Sequence, residues 1–413
     1  GYGAETGVKY LATGGVSYGD SWTTGDVIGV AFDADNGILE FYKNGTSQGV
    51  AATGLTDGPY LPSMVHNGSS RSASINFGQR PWHYSPKADH VALCTTNLPD
   101  PTIADGSTAF EARTYAGVSG ASSQTGYNFG PDFVWIKRRN STNNHTLTDI
   151  VRGAGYILQS HNANAEVDNT AYFTAFTSDG YSFGTDGGDT DASGGNYVAW
   201  AWDAGTSTVS NTDGSITSSV RANQSAGFSI VTATQGSGNS TWGHGLNAKP
   251  DWIIMKAREQ TYGWYVSHSG LANQSTKFLN LHNTNAEQTN SNWFASTEPT
   301  SSVITTKAGG MWNSGDSFVA YCWTAVEGYS AFGSYEGTAS SNFTDPFIFT
   351  GFQPALIIIK NIDNYGSGYD WFIFDTARDT FNVAENTLKA NLSDAETDSD
   401  SLDILSNGFR LKT

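Results

Sequence analysis

Charge is scarce in this chain of 413 residues, and it is lopsided: 39 acidic groups against 21 basic ones leave a net charge of −18. A surplus of that sign repels phosphate backbones and anionic lipid headgroups, so no nucleic-acid partner is expected. Cysteine is almost absent. Cys94 and Cys322 stand far apart with no CxxC pair, which excludes a disulfide framework and a thiolate zinc site. Long apolar runs are missing as well: runs such as Ala355-Leu-Ile-Ile-Ile359 reach about five residues, against roughly 20 for a bilayer span. No membrane insertion and no signal peptide are expected. Neither GxxxxGK(S/T) nor HExxH occurs, and the eight histidines are scattered, so the chain offers no nucleotide or zinc chemistry and no cofactor. Gly15-Val-Ser-Tyr-Gly19 spells GxSxG, but Asp and Thr follow where a nucleophile elbow needs a helix. No catalytic residue is expected, and the chain is not read as an enzyme.

Helical periodicity is also nearly absent. Short stretches of Val, Ile, Thr, Tyr, Phe and Trp recur between clusters of Gly, Asn, Asp and Ser, which predicts an all-β chain of sandwiches. From Gly25 two alternating strands run to Gly45 around Asp35-Asn36-Gly37, a joint that favours a tight hairpin. Tyr60–His66 and Ser72–Gly78 read as two more strands, broken at Asn67-Gly68. Gly25-Asp-Val-Ile-Gly29, Phe32-Asp33, Phe41-Tyr-Lys-Asn-Gly45 and Asn76-Phe-Gly78 resemble the later half of a SPRY domain, a concanavalin-like sandwich. The resemblance covers residues 1–85 and implies that the early strands of that domain lie upstream of Gly1.

Downstream the chain repeats itself. Three apolar stretches end in lysine: Pro131-Asp-Phe-Val-Trp-Ile-Lys137, Pro250-Asp-Trp-Ile-Ile-Met-Lys256 and Pro354-Ala-Leu-Ile-Ile-Ile-Lys360. Asn164-Ala-Glu166, Asn285-Ala-Glu287 and Asp394-Ala-Glu396 follow them by 29, 31 and 36 residues. Tyr197-Val-Ala-Trp-Ala-Trp202 returns as Phe318-Val-Ala-Tyr-Cys-Trp323, with no third copy before Thr413. Aromatic-led openings at Phe110, Phe228 and Tyr329 then divide the chain into jelly-roll-like sandwich repeats over 106–205, 224–327 and 328–413, the last one cut short. Repeats of this length are each expected to hold a core, unlike solenoid units of 20 to 50 residues. Alternation puts Ala199 and Ala201 on one strand face and Trp200 and Trp202 on the other, with Cys322 in the Ala201 slot as a small buried group.

Candidate site residues come from comparing the repeats. Glu166, Glu287 and Glu396 recur in register and are expected to serve structure, for example by accepting main-chain N–H bonds in a long loop. Asp149 with Arg152, and Asp375 with Arg378, suggest a local salt bridge of small worth, where the second repeat has His268 and Leu271. Trp264-Tyr265 matches Trp371-Phe372, against Thr146-Leu147 in the first repeat. Exposed, these four rings would stack on sugar faces; buried, they would fill a core, and alternation does not say which face is wet. The acidic turn Asp186-Gly-Gly-Asp189-Thr-Asp191 has no counterpart at Lys307–Gly310 and is read as solvated, so no metal is assigned there.

The SPRY-like start and the phrases Pro250–Lys256, Phe318–Tyr321, Gly328–Tyr335 and Asp375–Asp379 resemble tail-fibre proteins of marine bacteriophages. That resemblance implies a virion or extracellular location, a structural and receptor-binding role on a host-surface glycan or protein, and contact with other tail proteins. It also implies further copies of the same chain, in a trimer for many such proteins. A bacterial adhesin or filament protein, and a tail-spike depolymerase acting with two carboxylates, are the alternatives. Leu356–Ile359, bulky on both faces, suits a junction between chains.

Overall fold

A computed structural model describes residues 1–11, 14–56, 60, 62–65, 72–185, 187–337 and 346–412. Thirty strands and two single 3-10 turns make up the regular structure of these residues, so the all-β expectation holds. The chain divides into two compact units, Gly1–Leu98 and Pro99–Thr413.

The first unit is built on a three-stranded antiparallel sheet of Ile28–Asp33, Ile38–Lys43 and Thr46–Ala52. Its tight turn is not at Asn36-Gly37, where four residues separate the paired Asp33 and Ile38. It is at Asn44-Gly45, between the paired Lys43 and Thr46. Both turn residues have positive φ, 50° and 82°, as a two-residue hairpin twisted like its strands requires. The Asn44 carboxamide also donates to Asp26 Oδ1 at 2.7 Å and accepts from Val27 N at 2.8 Å. One contact thereby ties the Gly-Asp-Val-Ile-Gly motif to the Tyr-Lys-Asn-Gly motif. The two strands expected at 60–66 and 72–78 do not form within their described parts, and Val65 is 91% exposed. Alternation marks the faces of a strand, but a strand needs a neighbouring edge to accept its ladder, and no described strand is hydrogen-bonded to these segments as a ladder partner. Asn67-Gly68 falls outside the described residues.

In the second unit the first two repeats share one strand order. An opening strand (Phe110–Ala116; Phe228–Thr234) pairs with a closing strand (Asn196–Trp202; Ser317–Trp323). The closing strand pairs with the lysine strand (Phe133–Arg138; Trp252–Ala257), and that with a following strand (Thr146–Asp149; Tyr265–His268). The third repeat keeps the lysine strand Leu356–Lys360 and the following strand Trp371–Asp375. No strand forms over the described part of its opening segment from Tyr329 to Gly337. In the first repeat the opening strand is bonded to the sheet only through the closing strand, and no described strand plays that part in the third.

Each main sheet has two buried faces. The outward faces carry separate cores, with Tyr197, Ala199 and Ala201 in the first repeat, Phe318, Ala320 and Cys322 in the second, and Ile357 and Phe374 in the third. The inward faces meet in one core drawn from all three repeats, including Trp135, Trp200, Trp264, Tyr321, Trp371 and Ile373. The face separation read from alternation is therefore present, and both faces are dry. Independent cores are only half of the arrangement. Burying one such large side chain contributes roughly 1.5–3 kcal/mol, so the shared core binds the repeats into one body.

Candidate functional site

The recurring glutamates sit at the joints of that body. The main-chain N–H of Glu166, in the first repeat, donates to the carbonyl of Arg258 in the second at 2.6 Å. Glu287, in the second, donates to Ile362 in the third at 2.7 Å, and Glu396, in the third, donates to Arg139 in the first at 2.7 Å. Arg139, Arg258 and Ile362 are the residues two places after each conserved-in-register lysine. First joins second, second joins third, and third joins first: one head-to-tail contact, used three times, closes a ring with an approximate threefold relation.

Side chains reinforce the joints. Arg258 grips Glu166 with Nη2–Oε1 at 2.7 Å and Nε–Oε2 at 3.1 Å. Arg139 grips Glu396 in the same two-pronged way, at 2.7 and 2.9 Å. Such parallel pairs fix direction as well as adding energy. Where Ile362 stands in place of arginine, Glu287 turns to Lys277 of its own repeat at 2.6 Å. The expected role for the glutamates is thus partly corrected: their main chain donates, and the carboxylates of Glu166 and Glu396 take guanidinium groups, and that of Glu287 an ammonium group, rather than loop N–H groups.

Behind two of the joints lies a buried charge network. Arg152 Nε binds Asp149 at 2.5 Å and its Nη1 binds Glu166 at 2.8 Å, while the Tyr321 hydroxyl of the second repeat donates to Asp149 at 2.8 Å. The third repeat matches this: Arg378 binds Asp375 at 2.6 Å and Glu396 at 3.0 Å, and Trp200 Nε1 of the first repeat donates to Asp375 at 3.0 Å. All four Asp and Arg side chains are fully buried, so these are not the cheap local pairs that their spacing suggests. Burial pulls the Arg152 pKa down, but Asp149, Tyr321 and Glu166 outweigh it and raise the value. Burial likewise pushes Glu166 up, and Arg258 and Arg152 together bring it below the usual carboxylate range.

Of the two readings open for the tryptophans, sugar platform or core, the structure rules out the sugar platform. Trp264 is 0% exposed and Trp371 4%. Each indole N–H donates across a joint, Trp264 to the Gln159 carbonyl at 2.8 Å and Trp371 to the Asn280 carbonyl at 2.9 Å. Residues next to each other on an extended chain point oppositely, so Tyr265 and Phe372 face the outward cores, half-buried. Strand register also moves the comparison by one residue. Trp135 opposes Leu147 as Ile254 opposes Val266, which places His145, not Thr146, opposite Trp264. His145 Nε2 lies 3.1 Å from the Lys389 carbonyl of the third repeat, and its Nδ1 accepts from Trp135 Nε1 at 2.9 Å. Accepting at Nδ1 leaves the proton on Nε2, so the histidine donates across its joint as the tryptophans do. Trp371→Phe keeps the ring and strands the buried carbonyl; an expected loss of about 1–3 kcal/mol would appear as a lower urea midpoint with unchanged slope.

The remaining carboxylate cluster is used internally. Asp189 accepts from Asn143 and Asn144, and Asp191 from Val118 N and the Ser122 hydroxyl; Asp186 lies outside the described residues. Lys137 and Lys256, the lysines that end the strands, are buried with their ammonium groups on main-chain carbonyls, and burial lowers each pKa to about 8. Among the described residues no helix is long and apolar enough to cross a membrane.

Comparison with known proteins divides at the same place as the fold. Residues 1–80 match the SPRY domain model, so the chain carries a SPRY domain at its N-terminus. In that segment it is 41% identical over 71 residues to E3 ubiquitin-protein ligase RKP of Arabidopsis thaliana, covering 16% of this chain and 6% of that protein. It is 37% identical over 83 residues to Ran-binding protein 10 of Danio rerio, covering 20% and 14%, and 36% identical over 83 residues to Ran-binding protein 9 of Homo sapiens, covering 20% and 11%. The chain thus spans at most about a seventh of these relatives' length. No solved structure matches it. Residues 105–413 match the family model described as "Domain of unknown function (DUF7483)", and by that match, which takes in about three quarters of its length, the chain belongs to the DUF7483 family.

Proposed function

We propose that the chain is a structural attachment segment of an extracellular fibre of the phage-tail kind. In this reading the ring of three repeats is its load-bearing body, and the SPRY unit and outward loops meet a host-surface glycan or protein. The observation that carries it is how the charged and aromatic residues recurring in the repeats are used. Glu166, Glu396, Trp264 and Trp371 hold one repeat to the next, and Arg152 and Arg378 brace the two glutamates from within their own repeats. A body closed by three such joints resists shear better than a string of beads, since no single joint can open without straining the other two. The names of the SPRY relatives, Ran-binding proteins among them, support protein recognition as the task of that unit. The depolymerase alternative draws less support, because a catalytic acid needs a raised pKa and Glu166 has a lowered one.

The test is binding of the fluorescently labelled full chain to candidate bacterial hosts, before and after periodate oxidation of surface glycans and after surface proteolysis. Saturable binding lost on periodate treatment identifies a glycan receptor, and loss only on proteolysis a protein receptor. Binding to no host, together with absence of the chain from purified virions, overturns the reading.

A further inference from the structure

One joint of the ring carries a loop that holding the joint does not explain. From the strand-ending lysine to the N–H donor that crosses the joint, the first two repeats take eight residues, Lys137 to His145 and Lys256 to Trp264, and the third takes eleven, Lys360 to Trp371. The longer loop belongs to the joint with Ile362 in place of arginine, and Ile362 packs against the shared core. Guanidinium groups of the neighbouring repeat sit on Glu166 and Glu396. At Glu287, where that group is replaced, there is a cavity of about 260 Å³ lined by Asn285, Ala286, Glu287 and Gln288 of the second repeat and Tyr365 of the third.

The loop is pinned over this cavity from both sides. The Glu287 N–H holds the Ile362 carbonyl at 2.7 Å, and the Gly366 N–H donates to the Thr284 hydroxyl at 3.2 Å. Both anchors lie on the second repeat, so the segment between them forms an arch that carries Tyr365. Its ring is 76% exposed, and its hydroxyl has no hydrogen bond among the described residues. The tyrosine in the second repeat's loop is used differently: Tyr262 is half-buried against the outward core and accepts from Asn313 Nδ2 at 2.8 Å. Below the arch, the carboxamides of Asn285 and Gln288 have no hydrogen bond among the described residues. Glu287 gives Oε1 to Lys277 at 2.6 Å. A free ring beside free amides and a carboxylate is the set of groups that recognises a sugar: the ring face covers the C–H face of a pyranose, and the amides and carboxylate take its hydroxyls. None of the five lining side chains is a cation, so an acidic sugar meets no counter-charge there. The volume lies below the roughly 300–1,000 Å³ of sites for drug-sized ligands, which suits a single ring.

We propose that the cavity between Tyr365 and Asn285–Gln288 binds one neutral pyranose unit of a glycan. The proposal rests on the reading of the chain as an attachment segment and deepens it, by giving the glycan a place at a joint of the repeat body. The probes are methyl β-glucoside, methyl β-galactoside, methyl α-mannoside and N-acetylglucosamine, with glucuronate as the acidic comparison, each titrated into the isotope-labelled full chain. A single ring is expected to bind on the order of millimolar, so the readout is the shift of backbone amide resonances. The expected result is saturable shifts at 285–288 and 362–366 with at least one neutral sugar, and weaker binding of glucuronate. Tyr365→Ala should weaken that binding about tenfold, the worth of a stacked ring, and Tyr365→Trp should keep it. Gln288→Ala should weaken it about two- to tenfold, one hydrogen bond's worth. No shift at these amides with any of the four neutral sugars, or Tyr365→Ala binding as tightly as the unaltered chain, overturns the proposal. Failure of the attachment reading shows separately: a chain that takes the sugar at these amides and binds no host cell supports this site and overturns that reading.

Discussion

Replacing Arg152 by alanine is expected to destabilise the repeat body by about 3–5 kcal/mol, the usual cost of breaking a buried ion pair from one side. The guanidinium is fully buried and makes four kinds of contact: to Asp149, to Glu166, to the Leu147 carbonyl at 3.0 Å and to the Tyr321 hydroxyl at 3.0 Å. Its loss leaves Asp149 charged inside the protein with only Tyr321 and the N–H groups of Val151 and residue 152 to solvate it. Arg258→Ala makes the contrasting case. That side chain is 24% exposed and Glu166 keeps Arg152, so its loss should cost about 1 kcal/mol. The second repeat supplies a third comparison, because His268 and Leu271 stand where the others have Asp and Arg. The double variant Asp149→His, Arg152→Leu removes both charges at once and is expected to be less destabilising than Arg152→Ala alone. Urea unfolding followed by tryptophan fluorescence ranks the three. A double variant worse than the single one would mean that the network is not limited by its uncompensated charge.

What the sequence discloses depends on distance along the chain. The SPRY motifs are local: Asp26 and Asn44 are 18 residues apart, and both belong to phrases that can be read by eye. The repeats are legible for a similar reason, since each copy restates its landmarks in order. The ring is not legible. Arg139 and Glu396 are 257 residues apart, and nothing in either stretch names the other. A signal did exist in the combination: arginine two places after the lysine occurs in the first two repeats only, and Glu166 and Glu396 are the glutamates that need one. The misplacement of His145 has a chemical cause. Matching by residue similarity aligns rings of the same kind, whereas the fold selects for an N–H donor at that place, which histidine supplies as well as tryptophan does. The wetness of the tryptophan faces was undecidable for a further reason: a strand buried on both faces alternates large and small to fit two cores, and the pattern does not reveal that neither side is solvent.

That same histidine makes the body sensitive to acid. Burial drives the His145 pKa well below its ordinary value, with Lys137 adding to the effect, and burial lowers His244 and His268 to about 4. Each has an ordinary pKa near 6.5 once unfolded, so between about pH 6.5 and about pH 4 the unfolded chain binds protons that the folded chain refuses. Stability contributed by the neutral rings is therefore complete above pH 6.5 and declines as pH falls through this window. For His244, 0% exposed, the difference of about 2.5 units amounts to about 3 kcal/mol by pH 4. At His145 the loss has a structural address. A proton on Nδ1 would face the Trp135 indole N–H that now donates to it, breaking the contact that orients the ring toward the Lys389 carbonyl. The joint between the third and first repeats should loosen first. The contribution of Glu166 behaves oppositely in position: its lowered pKa places its loss at the acid end, below the ordinary carboxylate value, so it cannot account for a fall that begins near pH 6.5. Tm is accordingly expected to drop between pH 7 and pH 4.5. In His145→Gln, glutamine can accept from Trp135 and donate to Lys389 without titrating, so the drop should be shallower. An equal drop in both proteins would place the acid sensitivity away from this joint.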